Sequence, residues 1–121
     1  MASRRAEQQS EIKLQVMRLI SETPEMSSRR VADAVGISNG SAYYVLTALV
    51  EKGLIKLENF KKDPLKGRYA YLLTPKGIRE KSILTHNFIE RKRKEYKNLK
   101  KEIEALEEEA GLIGKGRLDK R

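Results

Sequence analysis

The chain has 121 residues, 39% hydrophobic and 36% charged, enough for one modest core and an appendage. Lys and Arg outnumber Asp and Glu by 26 to 17, a net charge of +9 that calls for a polyanionic partner, nucleic acid before an anionic membrane surface. With no run of about 18 apolar residues, no apolar segment after Met1-Ala2-Ser3-Arg4-Arg5 and no cysteine, the composition excludes a membrane span, a secretion signal, disulfides and thiolate chemistry, and the expectation is a cytoplasmic protein.

The apolar residues Ile12, Leu14, Val16, Met17, Leu19 and Ile20 recur at helical spacing, so Glu7 to Ser21 reads as a helix facing a core. Pro24 ends it by disfavouring helix at Thr23. Ser27 is placed as an N-cap, with Met26 and Val31 at the spacing of a hydrophobic staple, and a short helix follows to Val35 and stops at Gly36. Ser38 caps the next helix, which runs to about Lys52 and closes at Gly53, where Leu54 is set to touch Leu49. The period then changes. Leu54 to Phe60 and Arg68 to Thr74 have strand composition, and the Lys61-Lys62-Asp63-Pro64-Leu65-Lys66-Gly67 link between them makes a hairpin with a basic tip. Thr74-Pro75 starts a last helix that no proline interrupts before Ala110, roughly 50 Å of helix at its ordinary rise. Residues 114–121 read as a disordered basic tail.

Helix, short helix, three-residue turn, helix, hairpin is the order of a winged helix-turn-helix, and the finer residue pattern agrees. Val31, Val35, Ile37, Ala42 and Val45 weld two helices at a fixed angle, with Ala32 small where they cross and Gly36 at the turn. The expected fold is mainly α with a small β-hairpin: a DNA-binding domain over 7–75, a long dimerisation helix over 76–113 and the tail.

On the second helix of the pair, over about 38–52, Ala42, Val45, Leu46 and Leu49 point inward. Ser38, Asn39, Gly40, Ser41, Tyr43, Tyr44 and Thr47 face outward, toward a major groove. Asn39 can offer its amide to an adenine edge, the hydroxyls can serve bases or phosphates, and Gly40 admits close backbone approach. For Tyr44, packing against a neighbouring helix is as good a reading as exposure. No Arg or Lys lies on this face, so the commonest guanine contact is missing and an A·T-leaning or shape-read site is expected. Basic charge surrounds the face. Arg29 and Arg30 open the short helix, and Lys61, Lys62, Lys66 and Arg68 ring the wing, placed for phosphates or an adjacent groove. Catalysis is not expected: His86 is the only histidine, in a polar helical stretch, and Gly111, Gly114 and Gly116 follow no strand, so no cofactor or metal is implied.

The Val31-Ala32-Asp33-Ala34-Val35-Gly36 turn, the Leu49-Val50-Glu51-Lys52-Gly53-Leu54-Ile55 exit and Leu72-Leu73-Thr74-Pro75-Lys76-Gly77 together resemble the MarR group of bacterial regulators. Lys52-Gly53-Leu54-Ile55-Lys56-Leu57-Glu58-Asn59-Phe60-Lys61 and the basic C-terminal helix resemble its short exopolysaccharide-associated branch, over roughly residues 10–110. The resemblance implies a homodimeric, sequence-specific regulator of transcription. Two departures accompany it: the chain is too short for the helices that frame a ligand pocket in larger members, and Arg30 stands where an acidic residue often completes a capping box.

In the long helix, Tyr96, Leu99, Ile103, Leu106, Ala110 and Ile113 alternate at spacings of three and four, a seam for pairing with a second copy. Ile83, Leu84, Phe88 and Ile89 are placed to pack on the winged domain, with Phe88 and Ile89 adding to the pairing interface. Arg91 to Lys94 and Lys97 read as a solvated face, and flanking charges leave parallel and antiparallel pairing open. Pairing implies double-stranded DNA with a palindromic operator as the partner, no membrane, and an effector left unspecified. The competing reading is a protein-interaction module in which the winged domain binds protein and the coiled coil assembles a complex. A basic wing and a polar outer helix face argue against it.

Overall fold

The computed structural model describes residues 4–59 and 69–112. In chain order these form α1 (Arg4–Glu22), α2 (Ser28–Val35), α3 (Asn39–Glu51), β1 (Ile55–Asn59), β2 (Tyr69–Leu73) and α4 (Pro75–Glu109). The described residues fall into two compact units, one through His86 and one from Asn87 onward. In the first unit, α1 to α3 pack on the antiparallel β1–β2 ladder, whose register pairs Ile55 with Leu73 and Asn59 with Tyr69.

The core follows from the helical period. Leu14, Val16, Met17 and Ile20 of α1 meet Val31 and Ala32 of α2 and Ala42, Leu46 and Leu49 of α3, with Leu54, Ile55, Ala70 and Leu84 completing it. Each large aliphatic side chain so buried contributes about 1.5–3 kcal/mol. No charged or polar residue is buried among the described residues. Ala32 on α2 and Ala42 on α3 are both fully buried.

The ends of the elements are set by local chemistry. Ser27 Oγ accepts from Arg30 N at 3.2 Å, and Ser38 Oγ accepts from Ser41 N at 3.0 Å, each satisfying a donor left over at a helix start. Gly36 and Gly53 have φ of +83° and +73°, the left-handed conformation in which a side chain is strained. At Gly53 the helix closes with Leu54 N donating to Leu49 O and Gly53 N to Val50 O, both 2.9 Å. β2 is tied back to the α1–α2 link by Tyr71 N donating to Pro24 O at 2.9 Å, a contact that no local pattern announces.

α4 begins where Thr74 caps it. Thr74 Oγ1 accepts from Gly77 N at 3.0 Å and donates to Gly53 O at 2.6 Å, so one hydroxyl joins the exit of α3 to the start of α4. The early turns of α4 belong to the first unit: Leu84 is buried and Lys13 Nζ lies 4.0 Å from Glu80. Ile83 differs from the sequence expectation. It is exposed, about 100° around the helix from Leu84, which is the one of the two that faces the core. α4 closes as α3 does, with Leu112 N donating to Glu107 O at 2.8 Å around Gly111. Among the described residues no helix is long and apolar enough to cross a membrane, and no group of His, Cys, Asp or Glu is arranged to hold a metal.

Candidate nucleic-acid interface

The outward face of α3 is open. Tyr43 and Tyr44 are 66% and 74% exposed, and Asn39, Gly40 and Ser41 are exposed with them, while Thr47 is half-buried. Tyr44 therefore stands outward rather than folding back under a neighbouring helix. At about 100° per residue these side chains spread over two stripes rather than one. Asn39, Tyr43 and Thr47 form the first. Gly40, Ser41 and Tyr44 form the second, and they line a groove of about 700 Å³ between α1 and α3 with Ile12, Lys13 and Val45.

The two stripes have different chemistry. The Asn39–Tyr43–Thr47 stripe runs toward the sheet, where the Tyr71 phenol of β2 has its pKa raised above 10.0 by burial and, secondarily, by the neighbouring Tyr43 phenol. The Tyr71 hydroxyl stays protonated at neutral pH, the form that donates to a phosphate or a base acceptor. On the second stripe the serines are already occupied: Ser38 Oγ donates to Ser41 Oγ at 2.9 Å while accepting from Ser41 N. Ser38 thus sets where α3 begins, and the polar groups left to the face are the Asn39 amide, the Ser41 O–H and the hydroxyls of the tyrosines and Thr47.

Arg29 and Arg30 are exposed in the first turn of α2, which carries no acidic residue. A helix N-terminus favours negative charge by about 0.3–1 kcal/mol, so two arginines there are misplaced for the isolated helix and well placed once an anion lies against it. The first turn of α3 likewise has no acidic residue to compete for its amides. Lys61, Lys62, Lys66 and Arg68, expected on the wing, lie outside the described residues, as does Phe60. The β1 and β2 strands that would carry the wing are present, and Lys56 and Glu58 on β1 pair at 3.4 Å, leaving that part of the strand electrically balanced.

Tyr96, Leu99, Ile103 and Leu106 are exposed along one side of α4, together with Ala110 just beyond it. Ile113 lies outside the described residues. Phe88 is half-buried by its own helix, with Arg91 Cζ 5.8 Å and Lys92 Nζ 5.2 Å from the ring centroid, and Ile89 is exposed.

Residues 9–56, from within α1 to the start of β1, match the winged helix-turn-helix DNA-binding family. The matched segment holds the α2–α3 pair with its open helix face. Three solved structures show how far the fold is shared. Sso10a-2, a DNA-binding protein from Sulfolobus solfataricus, is 25% identical, with 80% of this chain and 94% of that one covered at a TM-score of 0.58. The adhesin competence repressor AdcR from Streptococcus pyogenes is 18% identical over 84% of this chain and 76% of its own, at 0.59. Staphylococcus aureus MarR is 20% identical over 83% and 70%, at 0.55. The fold is therefore shared with Staphylococcus aureus MarR and with AdcR. No curated protein sequence matches the chain.

Proposed function

We propose that this chain is a sequence-specific, double-stranded DNA-binding regulator of transcription of the MarR type that acts as a homodimer. In this reading α3 enters the major groove, the wing over 60–68 lies on the adjacent groove or backbone, and α4 pairs with its copy through Tyr96, Leu99, Ile103, Leu106, Ala110 and Ile113. The observation that carries it is the outer face of α3: polar and aromatic, uncovered and without charge of its own, with Arg29 and Arg30 exposed in the first turn of the preceding helix. A protein-docking face would be apolar there. Two-fold pairing requires a palindromic operator, with half-sites about 34–36 Å apart, or a multiple of that, if both helices meet the same face of the duplex.

The test is selection of bound sequences from a random duplex pool, followed by titration of the winning site. A palindrome should emerge, and affinity should fall by roughly three to five decades between 50 and 200 mM salt if about six to ten phosphates are neutralised. Asn39→Ala should relax discrimination at one or two base pairs by about 1–3 kcal/mol, whereas Arg30→Ala should weaken all duplexes alike. Salt-independent binding, or no enriched sequence, refutes the regulator reading.

A further inference from the structure

The second unit carries its charge in two blocks of opposite sign. From Arg91 to Lys101 there are seven Lys and Arg and one Glu, and from Glu102 to Glu109 there are five Glu and no basic residue. All of these residues lie on α4, and Tyr96, Leu99, Ile103 and Leu106 form an exposed apolar seam through both blocks. We infer that the occupant of this seam is a second copy of α4 running antiparallel, with the two-fold axis at the level of Lys101. The inference rests on the homodimer reading above and adds the direction and register of pairing.

Three features agree on that arrangement. The first is apolar layering. In an antiparallel pair the two kinds of seam position face each other. Opposing Tyr96 to Leu106 of the second copy also opposes Leu99 to Ile103, and the midpoint of both pairs is residue 101. The second is charge. Residue 101 is where the basic block ends, so this register lays the basic block of each helix beside the acidic block of the other. A parallel pair sets like blocks side by side and places Lys92, at a seam position, against its own copy. The exception inside the basic block, Glu95, meets the acidic level of the second copy but is held by Lys92 Nζ at 3.2 Å on its own helix.

The third feature is the end of the helix. Glu107, Glu108 and Glu109 occupy the last turn of α4, which has no basic residue. The C-terminus of a helix favours positive charge, so this turn is unfavourable in a lone chain. In the antiparallel pair Arg93 and Lys94 of the second copy lie at the level of Glu109 and Glu108 and supply the missing cations.

The chain has no cysteine, so a nitroxide can be placed by Glu90→Cys in the full-length protein, at an exposed position off the seam. An axis at residue 101 separates the two labels by about 33 Å along the helix, 22 residues at the ordinary rise. A parallel pair brings them to the same level, within about 10 Å plus the label arms. A dipolar distance near 33 Å upholds the inference. A short distance overturns the direction while leaving the homodimer intact, and a sedimentation-pure monomer overturns the homodimer reading itself. As a second measurement, Glu107→Lys with Glu108→Lys should weaken full-length dimerisation by at least about tenfold. Adding Arg93→Glu with Lys94→Glu should restore it. Reversals that neither weaken nor rescue would refute the antiparallel register, because like blocks facing each other are indifferent to which sign they carry.

Discussion

Gly77 stands in the first turn of α4 directly over the backbone of Leu54. A Cβ built there would overlap the Leu54 carbonyl oxygen, with the Leu54 carbonyl carbon at 2.9 Å and Cα at 3.3 Å. Every obstructing atom is main chain, so no side-chain rotation relieves the overlap. In Gly77→Ala the helix start must lift away, and it is the start that Thr74 joins to Gly53 O at 2.6 Å and Leu54 O at 3.1 Å. Overpacking of this kind costs about 1–3 kcal/mol, with the upper end expected against rigid backbone. The strained hydrogen bonds are each worth about 1 kcal/mol net. Alanine's better helix propensity offsets at most about 1 kcal/mol. The net expectation is a loss of about 2–4 kcal/mol, read as a lower urea midpoint at unchanged slope. Gly40→Ala is the internal control, since nothing lies within 4 Å of a Cβ there and its φ is not positive. If Gly77→Ala unfolds at the same urea concentration as the parent, the close approach of α4 to Leu54 is not a feature of the folded protein.

The same control variant tests the interface: Gly40→Ala should stabilise the fold by about 0.5–1 kcal/mol yet weaken DNA binding, because the added methyl stands where the backbone is expected to approach the duplex. Gel-shift titration beside urea melts separates the two, and undiminished binding would remove Gly40 from the interface. Ser38→Ala should cost about 1 kcal/mol of stability through loss of the α3 cap, with Ser38→Asp retaining most of it. The raised pKa of Tyr71 gives a further check. A group whose folded pKa lies above its unfolded value contributes fully below pH 10.0 and loses that contribution as pH rises through the folded value. The stability difference between parent and Tyr71→Phe should accordingly be flat below about pH 10 and shift against the parent above it, and a difference flat throughout would contradict the burial of that phenol.

Much of the first unit is legible in the sequence because its signals are local. The stripe from Leu14 to Ile20, the caps at Ser27, Ser38 and Thr74, and the left-handed glycines at 36 and 53 each depend on residues within one or two turns. The expected Leu49–Leu54 closure is present as a backbone bond of 2.9 Å between them. What sequence could not supply is long-range. The bond from Tyr71 N to Pro24 O joins residues far apart in the chain, and neither has a distinctive neighbour pattern. Gly77 passes for a mild irregularity in a helix start until Leu54 is seen beneath it. The outer face of α3 also reads as one surface from its period, whereas the neighbours on either side, α1 and β2, divide it into two. Ile83 shows the same limit, since apolar composition alone did not separate it from Leu84.

The places where the chain departs from the rules of helix design share one property. α2 opens with Arg29 and Arg30 where the helix dipole favours acid, and α4 closes with Glu107 to Glu109 where it favours base. Each arrangement costs the isolated fold a fraction of a kcal/mol per charge, and neither is repaired by an internal ion pair among the described residues. Misplaced charge of this kind is expected where a partner completes the electrostatics. The two ends need partners of opposite sign: a polyanion for α2, a polycation for α4. The second is carried by the chain itself, in the basic block from Arg91 to Lys101. Raising salt should therefore act in opposite directions on the parts, easing the unfavourable termini of the separate chain while weakening both its pairing and its hold on DNA. A salt slope for DNA binding measured below the dimerisation constant will exceed the phosphate count by the contribution of pairing, and measured above it the slope should fall to the phosphates alone.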